Sequence, residues 1–179
     1  TNGNVISSVD LAKQQSSFEY TNNDLTKAID PKGSQFKYTY DGNHNVKTAA
    51  SAENVVYSFT YDSNGNPLTS KVGDSSLFID STATYTMDGN YLKTLKDSQG
   101  NTVTYNNNSS KGTLDSVTDA KAKTTSYTYD PNTDQLKTVS KTADGQTVAN
   151  AYTYENDRIK TVKSNNNQVT YSFDYDSMQ

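Results

Sequence analysis

Few residues in this chain could do chemistry, and most of them sit in turn-like sequence. His44 is the only histidine, in the stretch Gly42-Asn43-His44-Asn45. A single histidine permits neither a Ser-His nor a His-His constellation, so this residue reads as a solvated turn residue rather than a base. Aspartate is abundant, and carboxylate pairs of the kind that hydrolyse glycosides stay open on composition alone. Asp41-x-Asn43-x-Asn45, Asp62-x-Asn64-x-Asn66 and Asp130-x-Asn132-x-Asp134 have the oxygen-ligand spacing that opens a calcium loop. None is completed by a bidentate glutamate at the twelfth position. Asp and Asn are also the default residues of tight turns, and turn formation is the reading adopted for all three. Asn107-Asn108-Ser109 and Asn108-Ser109-Ser110 match a glycosylation sequon, as an Asn- and Ser-rich chain does by chance. No catalytic residue, metal ligand or cofactor site is assigned, and the chain is expected not to be an enzyme.

Composition removes further classes. The formal net charge is −4, with the 16 basic residues dispersed among 20 acidic ones, so there is no electrostatic footprint of a nucleic-acid binder. The absence of cysteine excludes disulfides, thiolate metal sites and thiol catalysis. No apolar run approaches the ~20 residues of a membrane-spanning helix. Leu, Ile, Val and Phe make up only about 16% of the chain, a level that ordinarily signals disorder. The 14 tyrosines oppose that signal because they are not randomly placed. A tyrosine buries a large ring while its hydroxyl reaches a partner or water, so a thin sheet with tyrosine on a covered face can fold with little Leu or Ile.

The elements that must position these residues repeat. An aromatic-x-aromatic-acid pattern recurs as Phe18-Glu19-Tyr20-Thr21, Tyr38-Thr39-Tyr40-Asp41, Phe59-Thr60-Tyr61-Asp62, Tyr85-Thr86-Met87-Asp88, Val103-Thr104-Tyr105-Asn106, Tyr127-Thr128-Tyr129-Asp130, Tyr152-Thr153-Tyr154-Glu155 and Phe173-Asp174-Tyr175-Asp176. Its second aromatic position falls at 20, 40, 61, 87, 105, 129, 154 and 175. Such a period marks a repeat architecture. Each motif is followed by a polar turn and a short apolar stretch, such as Leu25 to Ile29 or Ile159 to Val162. Aromatic-Thr-Tyr alternates with the period of a strand, which puts both rings on one face and the threonine on the other. Asp30-Pro31-Lys32-Gly33, Asp62-Ser63-Asn64-Gly65 and Asp97-Ser98-Gln99-Gly100 predict type I turns closed by a glycine with positive φ. No segment carries a helical apolar period. The expected fold is all-β: about eight tandem repeats over residues 1–179, with a core of 18–176, forming a continuous antiparallel meander of about 14–16 strands in a curved or spiral sheet. One hairpin alone is unstable, so neighbouring repeats must cover one another.

This pattern resembles the RHS, or YD-repeat, family. The resemblance rests on Tyr40-Asp41-Gly42-Asn43, Tyr61-Asp62-Ser63-Asn64-Gly65-Asn66-Pro67-Leu68 and Tyr129-Asp130-Pro131-Asn132, and covers nearly the whole chain. It makes Tyr20, Tyr40, Asp41, Tyr61, Asp62, Gly65, Tyr105, Tyr129, Asp130, Tyr154 and Tyr175 structural repeat positions. It implies a segment of a β-strand shell, in a secreted or cell-wall-associated bacterial protein that encloses or presents a C-terminal toxin domain. The implied partners are neighbouring repeats and that toxin domain. The family's autoproteolytic motif is absent, and Asp30-Pro31-Lys32-Gly33 shares its letters without its surroundings. Thr1 and the stretch Asp176-Ser177-Met178-Gln179 read as the ends of an excised piece, with weak self-association expected through the edge strands. The competing function is carbohydrate binding to cell-wall glycan, since exposed tyrosines stack on sugars. Sugar-binding repeats of that kind lean on tryptophan, and this chain has none.

Overall fold

A computed structural model describes residues 3–73 and 76–176; Thr1 and Ser177 to Gln179 lie outside them. The chain is all-β, with no helix among the described residues. Its strands are β1 (Ser7–Val9), β2 (Gln15–Thr21), β3 (Asp24–Ile29), β4 (Gln35–Tyr40), β5 (Val46–Ala50), β6 (Val56–Tyr61), β7 (Pro67–Gly73), β8 (Phe78–Tyr85), β9 (Leu92–Asp97), β10 (Thr102–Asn108), β11 (Thr113–Thr118), β12 (Thr124–Tyr129), β13 (Leu136–Ala143), β14 (Gln146–Glu155), β15 (Arg158–Ser164) and β16 (Val169–Ser172). They lie in the sheet in their order along the chain, as a meander requires. Two compact units are present. One comprises Thr1–Thr84 with Lys96–Gly100, the other Tyr85–Leu95 with Asn101–Gln179.

Within the first unit, paired residues build apolar rows across the strands. Phe18 faces Ala28, which faces Phe36. Tyr38, Ala49, Tyr57, Val72 and Ile79 form a second row. The second unit has shorter counterparts, Tyr105 with Val117, Tyr127 with Val139, and Tyr152 with Val162 and Tyr171. Such cross-strand pairs contribute roughly 0.2–1 kcal/mol each, and a repeat array accumulates them. The threonines line the other face and pair hydroxyl to hydroxyl: Thr39 with Thr48 at 2.6 Å, Thr60 with Thr69 at 2.7 Å, Thr128 with Thr138 at 2.6 Å and Thr153 with Thr161 at 2.7 Å.

The alternation follows the sequence pattern. In each of Tyr38-Thr39-Tyr40, Phe59-Thr60-Tyr61 and Tyr127-Thr128-Tyr129 the rings are half-buried and the threonine is exposed. The expected covered face is corrected in degree. No side chain among the described residues is fully buried, so neighbouring strands, rather than a second layer, shelter the tyrosines.

Two of the kinds of turn that join the strands follow from the sequence. The Asp-x-x-Gly turns form as expected: the N–H of Gly33 donates to the Asp30 carbonyl at 2.9 Å, and Gly65 does the same to Asp62 at 3.1 Å. The left-handed position is not reserved for glycine, however. His44 (φ 65°), Asn54 (φ 60°) and Ala122 (φ 58°) occupy it in sister turns. Asn22-Asn23, Asp144-Gly145 and Asn156-Asp157 instead make two-residue hairpin loops with positive φ at both positions, the twist-matched solution for adjacent antiparallel strands.

Replacement of Gly73, at the end of β7, meets backbone. Its φ is 123°, and a Cβ there would lie 2.2 Å from the Leu77 carbonyl oxygen and 2.7 Å from the Phe78 Cα. Gly73→Ala is expected to destabilise the β7–β8 hairpin by about 1–3 kcal/mol, the cost of a strained backbone position. Gly33→Ala, with nothing within 4 Å of the added Cβ, should cost about 1 kcal/mol. Urea denaturation of both variants tests the ranking, and equal midpoints would contradict it.

Candidate structural site at the repeat junction

The residues singled out by the repeat converge on one device. Where β2, β4, β6, β12 and β14 reach the motif tyrosine, the following strand carries one extra residue (Thr26, Lys47, Leu68, Lys137 and Lys160), and the tyrosine faces an apolar residue, or Pro67, just before it in that strand: Tyr20 faces Leu25, Tyr40 Val46, Tyr61 Pro67, Tyr129 Leu136 and Tyr154 Ile159. The ring reaches along the sheet toward the preceding repeat. Its hydroxyl then donates to a backbone carbonyl there. Tyr20 reaches Val5 at 3.1 Å, Tyr40 reaches Leu25 at 2.9 Å and Tyr61 reaches Val46 at 2.9 Å. Tyr129 reaches Leu114 at 3.0 Å, Tyr154 reaches Leu136 at 2.8 Å and Tyr175 reaches Ile159 at 2.8 Å. Apart from Val5, each acceptor carbonyl belongs to the residue that faces the previous repeat's motif position, so the bonds form a relay from one repeat to the next. Burial raises the phenol pKa of Tyr40 and of Tyr154 above the ordinary value.

The middle of the chain shows what sequence alignment missed. Tyr105 does not hold the motif position. The register of β10 with β11 shifts between Asn106 and Asn107, with Asp115 the extra residue on β11, and Asn107 faces Leu114. Asn107 Nδ2 donates to the Leu92 carbonyl at 2.8 Å, replacing the tyrosine hydroxyl with an amide. Tyr105 instead matches the first aromatic of the motif. The repeat before it shifts likewise. The N–H of Thr86 donates to the Tyr91 carbonyl, the bond that Asp41 and Asp62 make to Asn45 and Asn66, so Tyr85 occupies the tyrosine position. Met87 lies fully exposed in the turn. The motif positions are therefore 20, 40, 61, 85, 107, 129, 154 and 175, a more even series than aromatic matching gives. The usable signal was the apolar residue following each turn, Leu92 and Leu114 here.

Asp41, Asp62 and Asp130 are turn caps. Asp62 Oδ1 accepts the N–H groups of Asn64 and Asn66 at 2.9 Å each, and Oδ2 accepts the Asn66 amide at 3.0 Å. Asp41 makes the same bonds to Asn43 and Asn45. Asp130 accepts from Asn132 and Thr133. These bonds favour the ionised form. The side-chain amide of Asn45 holds Asp41 below 3.8, that of Asn66 does so for Asp62, and the backbone N–H of Asn132 does so for Asp130. Gly65 closes the Asp62 turn at φ 84°. The carboxylates of the calcium-like spacing thus accept from the chain's own amides, and no group of three or more His, Asp or Glu side chains that could hold a metal occurs among the described residues. Millimolar calcium is expected to leave the melting temperature unchanged; a rise of several degrees reversed by chelator would refute this.

His44 lies exposed in its turn, as expected, and also contacts a neighbouring hairpin. Its Nδ1 lies 2.8 Å from an Asp24 carboxylate oxygen on the neighbouring hairpin, although the ring stays 65% exposed. Similar turn-to-turn links join Lys111 to Asp134 at 3.0 Å and Gln135 to Asp157 at 2.9 Å. No helix among the described residues is long and apolar enough to cross a membrane.

No known family profile matches the chain, and no curated protein matches its sequence. Solved structures do. The crystal structure of TcdB2-TccC3-TEV superposes with a TM-score of 0.63 at 16% identity, over 88% of this chain and 9% of that one. The chain shares its fold with part of that protein. A second crystal structure, TcdB2-TccC3 without its hypervariable C-terminal region, matches with a TM-score of 0.51 at 13% identity, over 89% of this chain and 11% of the other. The chain therefore spans about a tenth of the proteins it matches. At these identities the likeness is one of fold, built from the same kind of antiparallel meander.

Proposed function

We propose that this chain is a structural repeat segment of an RHS-type protein and has no enzymatic role. The observation that carries the reading is the relay of motif side chains onto the carbonyls of preceding repeats. It joins repeats to one another and leaves the polar groups most suited to ligands occupied within the fold. Fold likeness to TcdB2-TccC3 supports it, as does the occurrence of a hypervariable C-terminal region in that protein. In this reading the strands belong to a β-shell that encloses or presents a C-terminal toxin domain, in a secreted or cell-wall-associated bacterial protein. The Asn-, Thr- and Ser-rich, Arg-poor composition resembles the wall-associated protein of Bacillus, a contact-dependent toxin carrier.

The experiment is cryo-electron microscopy of the parent protein. The expected result is a strand spiral continuing on both sides of this segment and closing around density for a separate domain. An open sheet with its C-terminal region outside would overturn the enclosing shell. Glycan binding by the isolated chain would overturn the purely structural role.

A further inference from the structure

We propose that Asn64 is a site of spontaneous deamidation and backbone isomerisation, and that the Asp62 cap sets its rate. The inference is independent of the shell reading. It starts from the residues that precede glycine. A backbone nitrogen can attack the side-chain carbonyl of the Asp or Asn before it, and glycine leaves that approach open because it has no Cβ. Four such steps lie among the described residues: Asp41-Gly42, Asn64-Gly65, Asp88-Gly89 and Asp144-Gly145.

The structure singles out one of the four. An aspartate reacts in this way only when protonated, and the three aspartates are held as carboxylates or paired. The Asn45 side-chain amide holds Asp41 below the usual carboxylate range, and the Thr86 hydroxyl does the same for Asp88. Asp144 pairs with Lys123 at 3.1 Å. Asn64 needs no such protonation, because its leaving group is ammonia. It is exposed, and its side-chain amide has no hydrogen-bond partner among the described residues.

In the reaction the Gly65 nitrogen loses its proton to solvent and forms a bond to Asn64 Cγ. The bond from Cγ to the amide nitrogen breaks, and that nitrogen takes up a proton from solvent and leaves as ammonia. Water then opens the cyclic imide at either carbonyl, leaving aspartate or isoaspartate at position 64. The closed turn opposes the first step. The Gly65 N–H is held on the Asp62 carbonyl at 3.1 Å, and Asp62 Oδ1 holds the N–H groups of Asn64 and Asn66 at 2.9 Å each. Attack therefore waits for the turn to open, and the Asp62 cap sets how often it does. The isoaspartyl product carries one extra backbone carbon between Asp62 and Asn66. That carbon moves the Asn66 N–H off the carboxylate, just before Pro67, the residue that Tyr61 faces.

Peptide mapping by mass spectrometry follows the full chain at mildly alkaline pH, in native buffer and, in parallel, in urea. In the native chain Asn64 is expected to react before any other described asparagine, as a mixture of aspartate and isoaspartate, and more slowly than in urea. Asp62→Ala removes the cap acceptor and should speed the reaction about fivefold, the factor that one net hydrogen bond gives. Asp62→Asn keeps an acceptor and should leave the rate near wild type. Circular dichroism establishes that both variants fold, and the wild-type map decides the site without them. Earlier modification of another described asparagine, no product at position 64 in the native chain while the urea sample accumulates it, or equal rates in the two variants would each overturn the proposal.

Discussion

Tyr129→Ala is expected to destabilise the array by about 2 kcal/mol, below the 3–5 kcal/mol of truncating a fully buried aromatic because the ring is only half-sheltered. The loss has separable parts. Tyr129→Phe removes only the 3.0 Å hydroxyl bond to the Leu114 carbonyl and should cost about 1 kcal/mol, the usual net value of one hydrogen bond. The remainder is ring contact on the tyrosine face. Thr128→Ala, one residue away on the exposed face, breaks its 2.6 Å hydroxyl contact with Thr138 and should cost well under 1 kcal/mol, as exposed substitutions do. The prediction is a ranked series measured by urea denaturation: Ala at 129 worst, Phe at 129 intermediate, Ala at 128 near wild type. Because repeats contact mainly their neighbours, hydrogen exchange should quicken first near β11 to β13 in the Tyr129→Ala variant. Equal midpoints for Tyr129→Ala and Thr128→Ala would reject the facing assignment and the relay with it.

Acid should melt this protein through its turns. Asp30, Asp41, Asp62, Asp88, Asp119 and Asp130 are all held below the ordinary value of 3.8, chiefly by hydrogen bonds from turn N–H, amide or hydroxyl groups. A carboxyl whose pKa is depressed on folding binds protons more readily when unfolded. Its stabilisation is present in full above the unfolded value and is lost as pH falls through the folded one. All six shifts point the same way, so their effects add. The melting temperature should hold from neutral pH down to about 5 and then fall steeply below about 4. Asp62→Asn keeps an acceptor for the Asn64 and Asn66 N–H groups but cannot titrate, so it should flatten part of the acid limb. A melting temperature flat down to about pH 2, or an acid limb unchanged in an Asp41→Asn, Asp62→Asn double variant, would show that the caps do not control acid stability.

How much of this was written in the sequence depends on the range of the interaction. Period-two alternation of Tyr-Thr-Tyr determined strand type and facing, because successive side chains of a strand must point to opposite sides. Asp30, Asp62 and Asp97 with their glycines determined their turns, because capping and positive φ are satisfied within a few residues. The eight-fold repeat and its all-β character followed from these local rules.

The tertiary structure decided what depends on register between strands. Tyr105 looked like a motif tyrosine because it is aromatic. Only the register shift between Asn106 and Asn107 hands the position to Asn107, whose amide reaches a carbonyl 15 residues back. Met87 stood at the second position of its motif, yet the turn bond from the Thr86 N–H to the Tyr91 carbonyl places Tyr85 there and leaves Met87 in water. The Asp24–His44 contact joins residues 20 apart on neighbouring hairpins, a separation no local rule addresses. The relay shares this origin. Its donors are legible as tyrosines, but its acceptors are backbone carbonyls, which carry no residue-type signature. The register between strands selects which carbonyl each hydroxyl meets, and that selection exists only once the strands have paired.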